Sequence, residues 1–202
     1  MKHLLVRMIR APRRAGREVT DRLIAPMWLG LLGVRYGAGC RFYGLPEVSI
    51  GPGGRIVLGE RVKLYSRRDA NPRGVVYPTI LHTRGKDTLI EIQANTHVTG
   101  ASIVAWKEIR IGRNVLIGPG VCIWDHDGHP LESAARRDRT DVGAIAPIYI
   151  EDDVFIGAHA SILRGVTVGR AAVVGTKAVV AKSVAPGDIV VGNPARVVGH
   201  TS

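Results

Sequence analysis

The most constraining feature of this 202-residue chain is a repeat of six residues in its C-terminal half. Aliphatic residues recur at every sixth position, without a slip, at Ile150, Ile156, Ile162, Val168, Val174 and Val180. A short fixed period is typical of repeat architectures. It fits neither the period of a helix nor that of an isolated strand, but it fits a short strand followed by a tight corner. We therefore expect three repeats to form a triangular coil of about 18 residues, and coils to stack about 4.8 Å apart.

Small residues support this interpretation. Gly157, Gly169 and Gly175 each follow one of the aliphatic marker residues. Glycine adopts corner conformations that a Cβ atom would penalise, so we expect these glycines to form corners while the markers point into a narrow core. The chain contains 25 glycines and only 5% aromatic residues, which suits an interior that takes one aliphatic side chain per corner.

The repeat is less regular towards the N terminus. It begins at Val48 in two overlapping phases, and residues 66–89 break it with two prolines and a cluster of charges. We expect that segment to be irregular. The repeat then resumes and slips by one residue at Trp106–Lys107. The predicted organisation is a basic, partly helical segment (1–47), a repeat domain (48–186) with an insertion (124–149), and a C-terminal tail (187–202).

The first 23 residues carry seven Lys or Arg and two acidic residues. Arg7 and Arg10 interrupt the apolar run that a secretory signal requires. The apolar stretch 23–34 is shorter than the roughly 20 residues needed to span a bilayer. Two interpretations stay open: a basic amphipathic helix that places residues 1–34 on the inner membrane surface, or a helix packed on the first coil with its basic face in solvent.

The formal net charge of +11 permits a nucleic acid, an anionic membrane or a polyanionic ligand as partner. No zinc-finger spacing or RNA-binding signature occurs in the sequence, so we predict no nucleic-acid partner. The two cysteines, Cys40 and Cys122, form no disulfide framework, which favours a reducing, cytoplasmic setting.

The insertion 124–149 reads WDHDGHPLESAARRDRTDVGAIAPIY and has no marker spacing. Long excursions from a repeat scaffold are usually functional or disordered. This insertion holds the most reactive side chains of the chain, including a D-x-D-x-H-P string from Asp125 to Pro130. We therefore expect it to contribute to a functional site.

The repeats, the D-x-D-x-H-P string and the G-N-P-A-R string at 192–196 together resemble the hexapeptide-repeat acyltransferases. The similarity is greatest to sugar O-acetyltransferases of the galactoside and maltose type and to surface-polysaccharide acetyltransferases, and it covers about residues 89–199. It implies an all-β fold, a left-handed parallel β-helix with a short N-terminal helical segment and one long protruding loop. The left hand comes from the resemblance alone, because crossovers between parallel strands are generally right-handed.

The resemblance also implies an activity: transfer of an acetyl group from acetyl-CoA to a hydroxyl of a sugar or glycan precursor, without a metal. It implies a homotrimer in which CoA lies in the groove between adjacent β-helices. N-acetylation of an amino sugar or a xenobiotic is the alternative. The acceptor stays open, because Thr99 stands where relatives often carry asparagine.

His129 in the G-H-P string matches the loop histidine that acts as general base in the related enzymes. A histidine suits that role because its ordinary pKa is close to neutrality. His126 is the alternative base, and Asp127 or Asp125 is a candidate for orienting the imidazole. The resemblance further implies cofactor contacts by Ala158 and Thr176 along the pantetheine arm, by Lys182 and Arg196 near the phosphates, and by Phe155 as a wall.

Two other classes of function stay open. Gamma-type carbonic anhydrases share the fold and bind zinc through three histidines, which draws attention to His82, His97 and His159. The two loop histidines, His126 and His129, are spaced H-x-x-H, which differs from the wider spacing of that family, and we predict no metal. A non-catalytic β-helix scaffold is the other class, and it would tolerate the loss of His129.

Overall fold

The computed structural model describes residues 16–138 and 141–201. The helical elements are a π-helical stretch (Thr20–Ile24), α1 (Ala25–Leu31) and α2 (Ser133–Asp138). The first ten strands are β1 (Arg35–Tyr36), β2 (Arg41–Tyr43), β3 (Glu47–Ile50), β4 (Arg55–Leu58), β5 (Lys63–Tyr65), β6 (Ile80–Thr83), β7 (Leu89–Ile92), β8 (His97–Thr99), β9 (Ser102–Ala105) and β10 (Glu108–Ile111). The others are β11 (Leu116–Ile117), β12 (Cys122–Trp124), β13 (Ile148–Ile150), β14 (Phe155–Ile156), β15 (Ser161–Ile162), β16 (Thr167–Val168), β17 (Val173–Val174), β18 (Val179–Val180), β19 (Asp188–Val191) and β20 (Arg196–His200).

The strands form three parallel sheets that the chain visits in turn. Sheet A has the order β1-β4-β7-β10-β13-β16, and sheet C has the order β18-β15-β12-β9-β6-β3. Sheet B has the order β2-β5-β8-β11-β14-β17-β19-β20, in which β20 is antiparallel to β19. Because each strand from β1 to β15 pairs with the strand three places later, the chain winds as a stack of triangular coils. This β-helix confirms the predicted fold class.

The core is a column of aliphatic side chains inside the three sheets. All six marker residues of the C-terminal repeat lie in it, each with an exposed fraction of 3% or less. Register explains the column, since Ile123 pairs with Ile162 and Ile162 pairs with Val180 in sheet C. The side-chain direction predicted from the six-residue period is therefore confirmed.

The glycines that follow the markers are needed for a different reason from the one expected. Gly157, Gly169 and Gly175 do not have a positive φ. A Cβ atom on Gly157 would lie 2.6 Å from the backbone nitrogen of Thr176, and one on Gly169 would lie 2.4 Å from that of Pro186. These positions are small because the next coil approaches them closely. The left-handed corner residues of these coils other than glycine are Asp153, His159, Ala171 and Lys177, with φ between 56° and 63°.

The β-helix begins before Val48, the residue at which the sequence repeat becomes visible. β1 and β2 already belong to sheets A and B, so the first coil starts at Arg35. Strands β2 to β5 have three or four residues each, and β4 buries both Ile56 and Leu58. Two inward side chains per strand produce the two overlapping phases. The segment expected to be irregular over 66–89 is so only over 66–79, because β6 follows it.

The N-terminal helical stretch, residues 16–31, packs on the first coil. Ala25 and Leu29 are fully buried and join the core cluster. Asp21 accepts hydrogen bonds from the backbone N–H of Gly44 (2.8 Å) and from the guanidinium of Arg67 (2.7 Å). In the part of the chain that the structure describes, no helix has the length and apolar character needed to cross a bilayer. The remainder of the basic segment, residues 1–15, lies outside the described residues.

Candidate functional site

The long loop leaves the β-helix after β12 and returns at β13, and a short ladder closes its base. His126 and Ile145 form an antiparallel bridge. The backbone N–H of Ala146 donates to the carbonyl of Asp125 at 2.9 Å. The D-x-D-x-H-P string therefore starts from a fixed base beside the β-helix.

Asp125 has a structural role at this base. Its carboxylate is fully buried and accepts hydrogen bonds from the backbone N–H groups of Trp106 (2.7 Å), Lys107 (2.7 Å) and Glu108 (2.8 Å). Burial raises the pKa of Asp125, and the three N–H donors oppose that rise. These N–H groups belong to the corner where the sequence repeat slips by one residue. The next coil has the long loop in place of this corner, so the Asp125 side chain supplies the acceptors that a regular corner would provide. The described hydrogen bonds of this carboxylate go to backbone N–H groups and not to an imidazole.

Asp127 forms an ion pair with Arg164, with 2.6 Å between the carboxylate oxygen and Nε. Among the described contacts, none joins this carboxylate to His126 or His129. Its predicted role in orienting an imidazole thus stays a prediction. Arg164 follows β15 on the adjacent coil, so the pair ties the loop to that coil.

His126 is partly buried at the base of the loop. Its ring meets Trp106 edge to face, with 6.0 Å between ring centres. Both ring nitrogens are buried and have no hydrogen-bond partner among residues 16–138 and 141–201. Burial lowers the pKa of His126, while the nearby Asp125 and Asp127 carboxylates act in the opposite direction. The neutral imidazole is therefore favoured there.

His129 is exposed, but its backbone is held. Pro130, which follows it, is buried. Gly143 packs against the carbonyl of His129, where a Cβ atom would come within 2.5 Å of the oxygen, and Gly143 has a φ of +81° that favours glycine. The imidazole is therefore presented to solvent on a fixed stretch of backbone, which suits a side chain that must meet a ligand.

A groove of about 420 Å³, here called the coil groove, opens on the surface of the β-helix. Ala158, Thr176 and Phe155, three of the positions implied to contact CoA, line it. Phe155 and Leu116 are about half exposed, so they form an apolar wall. The full lining is Tyr65, Asn71, Arg73, His97, Thr99, Leu116, Ile117, Gly118, Pro119, Phe155, Ala158 and Thr176.

The polar end of the coil groove was not predicted from the sequence. The irregular segment 66–79 brings in Asn71 and Arg73. The Asn71 amide donates to the hydroxyl of Thr99 at 3.3 Å. An asparagine thus lies next to Thr99, the residue noted above as standing where relatives often carry asparagine. The only signal in the sequence was the polar character of a segment without periodicity. His97, considered above only as a zinc ligand, lines the groove, and burial and Lys63 lower its pKa.

A second groove of about 440 Å³, here called the tail groove, lies between the last coil and the C-terminal tail. Lys182 and Arg196 both line it and are both exposed. Neither cation takes part in an ion pair with any described residue. The five residues implied to contact CoA therefore lie in two grooves, with Ala158, Thr176 and Phe155 in one and the two cations in the other.

Among the described residues, no group of three or more His, Cys, Asp or Glu side chains could hold a metal ion. His82 lies in sheet C between Glu47 and Arg84. His97 lies in sheet B, and His159 occupies an exposed corner. Within this chain the three histidines of the carbonic anhydrase alternative are thus not brought together.

Comparison with known proteins agrees with the geometry. A family model described as a hexapeptide repeat of succinyl-transferase matches residues 147–181. A Schizosaccharomyces pombe protein named as an acetyltransferase is 42% identical over 88 residues, which are 44% of this chain and 41% of that protein. The chain thus aligns with less than half the length of this curated relative.

Two solved structures share the fold. A mutant of the N-acyltransferase AntD from Bacillus cereus, in complex with dTDP-4-amino-4,6-dideoxyglucose and coenzyme A, has a TM-score of 0.67 at 18% identity and covers 88% of this chain and 89% of its own. A maltose O-acetyltransferase from Clostridium difficile has a TM-score of 0.50 at 22% identity, covering 84% of this chain and 67% of its own. The chain therefore has the left-handed parallel β-helix fold of these structures and carries hexapeptide repeats that match the family model over residues 147–181.

Proposed function

We propose that the protein is an acetyl-CoA-dependent acyltransferase that moves an acetyl group to a hydroxyl of a sugar or glycan precursor. The observation that carries the proposal is that all five residues implied to contact CoA line open grooves of the β-helix: Ala158, Thr176 and Phe155 in one, Lys182 and Arg196 in the other. Apolar walls suit the pantetheine arm, and unpaired cations suit phosphates.

The proposed chemistry assigns the base to the exposed loop histidine. His129 takes the proton from the acceptor hydroxyl as its oxygen attacks the thioester carbonyl. The carbonyl then reforms, the carbon–sulfur bond breaks, and CoA leaves as the thiol once the proton from His129 reaches its sulfur. The residues supply binding and proton transfer, and no metal is part of the proposal.

The acceptor is proposed on the chemistry of the coil groove. Asn71 and Thr99 offer an amide and a hydroxyl, and Arg73 offers a cation. Amides and hydroxyls hydrogen-bond sugar hydroxyls, and a guanidinium suits a phosphate of an activated sugar. An amino sugar is the second candidate, because the structure with the higher TM-score of the two above is an N-acyltransferase bound to an amino-sugar nucleotide.

The function is tested by a screen of acceptors. Purified protein, acetyl-CoA and a panel of sugars, nucleotide sugars, amino sugars and unrelated amines are assayed for thiol release, and products are identified by mass spectrometry. We expect a sugar acceptor to raise thiol release above hydrolysis, with the acetyl group on oxygen. Acetylation of nitrogen would move the assignment to the alternative, and CoA binding without transfer to any acceptor would favour a scaffold.

A trimer is part of the proposal, because a CoA groove between adjacent β-helices needs two neighbouring copies and cyclic homo-oligomers are the commonest way to provide them. Sedimentation of the purified protein measures this directly, and a stable monomer at micromolar concentration would contradict it.

Replacing Lys182 or Arg196 by alanine is expected to weaken binding of CoA much more than binding of dephospho-CoA. Only the full cofactor carries the 3′-phosphate, and loss of one charge-assisted contact costs about 1.5–3 kcal/mol, or roughly 10- to 100-fold in affinity. Isothermal titration with both ligands measures the difference. Lys86→Ala, which removes an exposed cation outside both grooves, is the matched control. Equal weakening of both ligands would show that these cations do not contact the 3′-phosphate.

A further inference from the structure

The N-terminal helical stretch carries large apolar side chains on the face that points away from the β-helix. Val19, Leu23, Met27 and Leu31 follow one another at intervals of four residues and are between 49% and 78% exposed. Residues four apart lie on one side of a helix. These four residues form what we call the apolar stripe.

The opposite face of the same stretch is fixed to the protein. Ala25 and Leu29 are fully buried in the core, and Asp21 is bound by the N–H of Gly44 and by Arg67. The helix therefore cannot turn its stripe inward without breaking these contacts. A helix that is apolar on opposite faces is normally covered on both, and within residues 16–138 and 141–201 nothing covers the stripe.

The charges around the stripe indicate what covers it. Arg22 lies on the same helical stretch and is exposed, and Arg17, also exposed, pairs with Asp69. Residues 1–15, which directly precede it in the sequence, contain five Lys or Arg and no acidic residue. Trp28, 42% exposed, adjoins the stripe in sequence, and tryptophan is enriched where hydrocarbon meets water. Apolar side chains flanked by cations and an aromatic ring match an anionic bilayer surface.

We propose that the apolar stripe docks the protein on an anionic lipid surface. Leu23, Met27 and Leu31 enter the boundary between headgroups and acyl chains, and Arg22 contacts lipid phosphates. The protein lies on the membrane and does not span it. The proposal does not depend on the enzymatic activity proposed above, since lipid binding is measured without substrates.

The test is sedimentation of the full chain with vesicles of phosphatidylglycerol and phosphatidylcholine, and with vesicles of phosphatidylcholine alone. We expect apparent binding to the anionic vesicles to be at least about tenfold tighter and to weaken as salt is raised. The variant Leu23→Glu/Met27→Glu is expected to lose at least about tenfold of that binding. Its control, Val76→Glu/Val198→Glu, makes the same change of charge at exposed valines elsewhere and is expected to bind as the wild type does.

Circular dichroism and thermal melting establish that both double variants fold. If the wild type ignores anionic vesicles, or if Leu23→Glu/Met27→Glu binds them as tightly as its control, the proposal is overturned. Sedimentation velocity without lipid tests whether a second copy of this chain covers the stripe instead. A smaller assembly for Leu23→Glu/Met27→Glu than for its control would show that the stripe is covered by a second copy of this chain, and this result would also overturn the proposal.

Discussion

Replacement of His129 by alanine is expected to slow acetyl transfer by about 10²–10⁴-fold, the range typical for loss of a positioned general base. CoA affinity and thermal stability should change little, because the imidazole is exposed and lies outside both grooves. The measurement is thiol release from acetyl-CoA with an acceptor found in the screen, together with titration of CoA and a melting curve. A large loss of rate with unchanged CoA binding separates a chemical defect from a folding defect.

His126→Ala is the matched control, since it removes the other histidine of the same loop. It is expected to keep most of the activity. A small loss of stability is expected as well, because its ring packs on Trp106. The opposite pattern, wild-type turnover in His129→Ala and inactivity in His126→Ala, would transfer the role of base to His126. Its buried imidazole, whose pKa is lowered by burial, would then be the proton acceptor.

Replacement of Asp125 by alanine is expected to cost about 3–5 kcal/mol of the free energy of unfolding. The three N–H groups that donate to its carboxylate would lose their acceptor, and a hydrogen bond to a charged group contributes about 1.5–3 kcal/mol. Asp125→Asn is expected to fall between the wild type and Asp125→Ala, because an amide keeps one acceptor oxygen. Denaturant unfolding at a single protein concentration measures all three.

Asp127→Ala is the control for this series. Asp127 lies two residues further along and pairs with Arg164 near the surface, a contact worth about 0–1 kcal/mol. A cost for Asp125→Ala as small as the cost for Asp127→Ala would show that the corner at Trp106–Glu108 finds other acceptors, and that the carboxylate does not hold it.

The sequence predicted the C-terminal coils well because their strands are two residues long, so one marker per strand gives an unbroken period of six. The early coils were harder to recognise, because a strand such as β4 buries two side chains and the aliphatic residues then follow two overlapping phases. The glycines after the markers were attributed to local backbone conformation, but the reason for them is packing between coils. That packing is a contact between residues about 18 apart in the sequence, which an argument from local conformation cannot predict.

The site shows the same division. Lys182 and Arg196 were identified by resemblance within regular coils and the tail, and both line one groove. Asn71 and Arg73 were missed because they sit in a segment without periodicity, whose position over sheet B only the folded chain reveals. The burial of Asp125 was also missed, because its partners are backbone N–H groups, which leave no mark in a sequence.

The closed base of the long loop bears on how such an enzyme can change its substrate. Asp125 completes the neighbouring coil, and the bridge from His126 to Ile145 seals the loop behind it. Everything between these two positions lies beyond the seal, so its length and sequence can vary without loss of the coil stack. A loop transplanted from another β-helix should be accepted if these anchoring residues are kept. Selection can therefore exchange the loop that carries the proposed base while the scaffold stays the same.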